Sequence, residues 1–96
     1  MDPNICIGEL ERMVEMGGAY KGPHGDPLAH AYGVASVLRD IASTDEQRED
    51  IVATVIEVKA WFKASQKSSE MGTAAKLKVA AALAKLKRAF ATERHG

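Results

Sequence analysis

Only one stretch of this chain has the composition of a β-strand, Ile51 to Val58, where six of eight residues are β-branched. A lone strand leaves its backbone groups without partners, and the chain holds no second candidate to pair with it. The segment is therefore expected to be helical. Its flanks agree, with Asp45, Glu46 and Glu49 before it, helix formers after it, and no glycine or proline between. The fold class that follows is all-α.

The dipeptide Asp-Pro occurs at 2–3 and again at 26–27. In each, the aspartate caps the first free amide groups and the proline, lacking an N–H, takes the first helical position at no cost. Two helix starts are thus expected, the first helix running over about 3–16 and the second over about 27–42. Gly17, Gly18, Gly22, Pro23 and Gly25 exclude regular structure between them. Ser43 with Glu46 matches a capping box, so a third helix is expected over about 45–64. The serine-rich stretch 65–69 reads as a short connection, and the Ala-, Leu- and Lys-rich remainder as a fourth helix over about 69–92. Together these give a small four-helix bundle of up-down topology, three long helices and a shorter N-terminal one, in a single domain of 96 residues.

Helical spacing then assigns the buried faces. Cys6, Ile7, Leu10, Met13 and Val14 form the stripe of the first helix. The second helix carries Leu28, Ala31, Val34, Ala35, Val37, Leu38, Ile41 and Ala42 over half its circumference, a breadth that calls for a central position. In the third, Ile51, Val55, Val58 and Phe62 line up, with Val52 and Ile56 as a second ridge beside them. In the fourth, Val79, Leu83, Leu86 and Phe90 recur at steps of four, three and four. Met16, Trp61 and Leu77 fall off these stripes. An indole is costly to expose and is enriched at binding hot spots, so Trp61 is expected at the rim of the core or, as the alternative, as the anchor of an interface.

Leu, Ile, Val and Phe supply only 20 of 96 positions, and the single cysteine, Cys6, allows no internal disulfide. A core this lean gains from added burial, and a homodimer is expected. No run approaches the length of a membrane span and the N-terminus has no signal-peptide pattern, so a cytoplasmic protein with no membrane partner is expected.

The formal net charge of zero conceals a strong asymmetry. Residues 1–57 hold four basic and eleven acidic side chains, a charge of −7, whereas residues 58–96 hold nine basic and two acidic ones, a charge of +7. Lys59, Lys63 and Lys67 share one edge of the third helix, and Lys76, Lys78, Lys85, Lys87 and Arg88 decorate the fourth. Acids early and lysines late in the third helix complement its macrodipole, and an acidic front half packed on a basic back half neutralises itself within a monomer or an antiparallel dimer. The functional expectation set beside this is that the two sets merge into a basic surface that, with Trp61 and with Tyr20 from the glycine-rich loop, binds a protein partner of acidic character. The same basic C-terminal helix supports an alternative, a nucleic-acid-binding accessory role. The paucity of arginine and aromatic residues there argues against base reading and stacking.

No catalytic set emerges. Cys6 lies on an apolar stripe, and the loop Gly17 to Gly25 lacks the Gly-Lys-Ser/Thr ending of a phosphate loop and follows no strand. His24, Asp26 and His30 do not stand at a metal-ligand spacing. No cofactor, metal or enzymatic activity is expected. His30, with Gly33 three residues on, resembles the helical histidine of histidine phosphotransfer domains, although those place a lysine and a glycine where this chain has Gly33 and Val34. That resemblance implies a phosphorylatable His30 as a second alternative. The leading expectation is a small non-enzymatic interaction module: a regulator, adaptor or inhibitor.

Overall fold

A computed structural model describes residues 2–16 and 27–94, all in or beside four helices. These are α1 (Pro3–Met16), α2 (Pro27–Ile41), α3 (Asp45–Lys67) and α4 (Ser69–Arg94). The expected boundaries of α1 and α2 are met within a residue. Each helix packs on its sequence neighbours, and α1 closes the ring against α4, which is the up-down bundle anticipated.

The starts of α1 and α3 follow the capping logic with one shift, while the cap expected at Asp26 lies outside the described residues. The Asp2 carboxylate accepts a hydrogen bond from the Asn4 amide at 2.9 Å, opening α1 as expected. At α3 the cap is Thr44 rather than Ser43, and the partner is Gln47 rather than Glu46. The Gln47 amide donates to Thr44 Oγ1 at 3.1 Å, and Gln47 Oε1 accepts from the Thr44 amide at 3.2 Å and the Ser43 amide at 2.7 Å. Gln47 is fully buried, and its Nε2 donates to the Ala89 carbonyl at 3.4 Å. One side chain therefore both caps α3 and ties that end to the last turns of α4.

The connection expected over 65–69 shrinks to Ser68 alone. Its extended backbone ends α3, with the Ser68 amide donating to the Ala64 carbonyl. Its hydroxyl then accepts from the Met71 amide at 3.1 Å, so the same residue caps the start of α4. Gly72 is what lets the two helices close so tightly: a Cβ there would sit 2.6 Å from Ser65 Oγ and 3.0 Å from Ser65 Cα.

α3 and α4 form the most extensive contact, and they dominate the shape. The 26 residues of α4 account for about 39 Å of the 43 Å long axis. At 14 and 15 residues, α1 and α2 are too short to cover that hairpin end to end. The core comprises the whole predicted stripe of α1, the whole stripe Val79, Leu83, Leu86 and Phe90 of α4, and Ile51, Val58 and Trp61 of α3. The broad face assigned to α2 is less buried than expected. Ala31, Ala35 and Leu38 are enclosed, while Val34, Val37, Ile41 and Ala42 are partly open. α2 occupies one corner of the ring like the others and is not central.

Candidate interaction surface

The face that α3 buries is rotated from the one its apolar pattern suggests. Gln47, Asp50, Thr54, Val58 and Trp61 turn inward with Ile51, while Val52 and Ile56, the second ridge, are 52% and 59% exposed. Trp61 is 4% exposed and belongs to the core, which agrees with the core reading of this indole and takes it out of the expected interface. The rotation has a physical cause in α4. Gln47 reaches Ala89, and Oδ1 of the buried Asp50 carboxylate takes the Lys85 ammonium at 3.4 Å, so both side chains find a partner across the α3–α4 contact, although Asp50 Oδ2 has none among the described residues. Thr54 Oγ1 donates back to the Asp50 carbonyl at 2.7 Å and needs no partner from outside the helix.

That rotation leaves a groove of about 390 Å³ between α2 and α3. Tyr32, Ala35 and Ser36 of α2 line one wall, Ile51, Val52, Val55 and Ile56 of α3 the other, and Arg39 one end. Tyr32 is 46% exposed there. None of Tyr32, Val52 and Ile56 was expected at a binding surface. The signal was present in the excess breadth of apolar residues on α3, wider than any one neighbour of a thin bundle can cover.

The lysines of α4 do not all turn the same way. Lys85 reaches Asp50 of α3, whereas Lys87 reaches Glu11 of α1 at 3.2 Å, so the lysines of α4 lean to opposite neighbours. Lys76, half-buried, lines a second, smaller groove with Glu11, Val14 and Glu15 of α1. Lys78 and Arg88 are exposed on α4. Lys59, Lys63 and Lys67 are exposed as well, and among the described residues none of the three has an acidic partner. They continue along α3 the exposed row that Val52 and Ile56 begin. Tyr20, His24 and Asp26 lie outside the described residues.

The remaining chemistry-bearing side chains are enclosed. His30 Nε2 lies 3.5 Å from Glu9 of α1, with its side chain 13% exposed. Cys6 is buried, and that burial pushes its thiol above the ordinary pKa. No described helix is long and apolar enough to cross a membrane. Comparison with protein-family models, with curated proteins and with solved structures finds no match to this chain.

Proposed function

We propose that the protein is a small non-enzymatic interaction module, of the regulator, adaptor or inhibitor kind, whose docking surface is the outer face of α3 with the adjoining α2 groove. The observation that carries this reading is the coincidence on one helix face of two exposed β-branched residues, Val52 and Ile56, with three lysines that have no acidic partner among the described residues. Apolar side chains displaced from water supply the affinity, and the lysines favour a partner bearing carboxylates on either side of an apolar ridge.

The nucleic-acid reading draws less support, because Lys85 and Lys87 of the basic helix are engaged by acids on two different neighbours. Phosphotransfer draws less as well, since His30 is enclosed beside a carboxylate that repels a phosphoryl donor. The test is partner recovery by the tagged protein and by two variants, Val52→Asp with Ile56→Asp, and Lys59, Lys63 and Lys67→Glu. Loss of a stoichiometric, nuclease-resistant partner in both, with helicity retained, is the expected result. Retention of the partner in both variants removes this surface from consideration, and recovery that vanishes with nuclease or falls steeply with salt favours the basic α4 instead.

A further inference from the structure

The exposed row on α3 reads Asp45, Glu49, Val52, Ile56, Lys59, Lys63, at steps of four, three, four, three and four. That is the spacing of a coiled-coil seam, and all six side chains are exposed. Its charge pattern runs acid, apolar, base from the N-terminal end to the C-terminal end. A seam with this order is complementary to itself in one orientation only. When a second copy of α3 packs antiparallel, each layer pairs one seam position with its counterpart: Val52 faces Ile56, Glu49 faces Lys59, and Asp45 faces Lys63. A parallel pairing sets acid on acid and base on base, which costs stability in every charged layer.

We infer that the outer face of α3 docks on the same face of a second copy of this chain, antiparallel about a two-fold axis, with the Val52 and Ile56 layers at its centre. The inference rests on reading that face as a docking surface and names its occupant. Two-fold symmetry makes each contact occur twice, so a short seam supplies two apolar layers and four charge pairs. The groove walled by Tyr32 beside the seam gives the incoming ridge a place to seat. Asp45 now holds Arg48 at 2.9 Å, an exposed pair within one helix turn that is worth little and yields to an intermolecular partner.

The test uses the full chain in sedimentation equilibrium from about 1 µM to about 1 mM, a range that covers association free energies of roughly −8 to −4 kcal/mol. A species of twice 10.3 kDa is expected, more dissociated at high salt. Glu49→Lys and Lys59→Glu, each alone, turn two attractive layers repulsive and weaken self-association by about tenfold or more. An equimolar mixture of those two variants restores it, because every substituted side chain then faces the opposite charge on the other chain. A parallel arrangement is told apart by the single variants, which it predicts to associate no worse than the parent, because its charged layers are like-on-like before and after each substitution. Ile56→Asp, at an exposed position, is expected to abolish the dimer with the helix signal unchanged. A chain that stays monomeric at the highest concentration, or variants that fail to rescue each other, overturns the dimer. If a monomeric chain nonetheless binds a different protein and loses it with Ile56→Asp, the dimer falls while the docking face stands; if Ile56→Asp alters neither association, both fall.

Discussion

Replacing each of the three helical glycines by alanine gives a quantitative check on how α3 and α4 meet. Gly8 lies inside α1 and Gly33 inside α2, and a Cβ at either site meets no atom within 4 Å. Alanine there removes backbone entropy from the unfolded chain and strains nothing, so Gly8→Ala and Gly33→Ala should each stabilise by about 0.5–1 kcal/mol. Gly72→Ala gains the same propensity but places its Cβ 3.0 Å from Ser65 Cα, a backbone atom held by the helix it belongs to, and 2.6 Å from Ser65 Oγ. The hydroxyl can rotate away, since Ser65 is exposed, but the Cα cannot move without displacing the last turn of α3. Overpacking of this kind costs about 1–3 kcal/mol. Because the propensity gain is common to all three, the difference between Gly72→Ala and the other two isolates the steric cost, worth about 4–20 °C in Tm for a domain of this size. Thermal and urea unfolding followed by circular dichroism measure it, with unchanged m-values required for the comparison. If Gly72→Ala raises Tm as much as Gly8→Ala and Gly33→Ala do, the helices do not approach as described and the one-residue corner at Ser68 is wrong.

Three further outcomes follow from the core and the caps. Trp61→Ala should cost about 3–5 kcal/mol, the range for removing a buried aromatic, against under about 0.5 kcal/mol for Lys63→Ala; a small effect at Trp61, or an indole emission that does not shift to the red on unfolding, would place it at the surface. Gln47→Ala strips the acceptor from the Ser43 and Thr44 amides and the donor from Ala89, so it should destabilise by about 2–3 kcal/mol, more than the roughly 0.5–2 kcal/mol of Thr44→Ala. Equal effects in urea titrations would mean that the bridge to α4 contributes nothing. Burial raises the pKa of the Cys6 thiol, so the native state holds that proton longer than the unfolded state, whose thiol titrates near about 8.5. Its stabilising contribution is complete below that value and is lost as pH rises toward the folded pKa, so the urea midpoint of the parent should fall more steeply through the alkaline range than that of Cys6→Ala; parallel profiles would contradict the burial.

How much of this was legible depends on whether a residue's environment was set within its own helix or by a neighbour. The stripes of α1 and α4 could be read outright, because Cys6 to Val14 and Val79 to Phe90 are apolar against polar backgrounds and no partner could rotate them. The cap at Thr44 could be read only to within one residue, since Ser43 with Glu46 and Thr44 with Gln47 offer the same chemistry one register apart. What decides between them is the Gln47 amide reaching Ala89, a contact 42 positions away. The end of α3 was misread for a related reason. Ser65, Gln66 and Lys67 are polar because they are exposed, and exposure on the last turn of a helix resembles a loop in composition.

α3 shows where the reading by apolar periodicity gives out and why that matters for function. Of the expected stripe the bundle buries Ile51 and Val58 and packs Val55 and Phe62 against the core, but it also takes in Gln47, Asp50, Thr54 and Trp61, because α4 supplies the Ala89 carbonyl and the Lys85 ammonium as partners for the polar groups. Once that face is turned inward, a helix with apolar residues on two ridges must present one of them to water. Val52 and Ile56 are the consequence, and they fall between acids on one side and uncompensated lysines on the other. An excess of apolar surface that the monomer's own packing produces is either a cost left standing or half of an interface. The ordered charges that continue the same seam in both directions favour the second, since among the described residues they have no pairing role apart from the weak Asp45–Arg48 contact, and they have a complete one across an antiparallel copy.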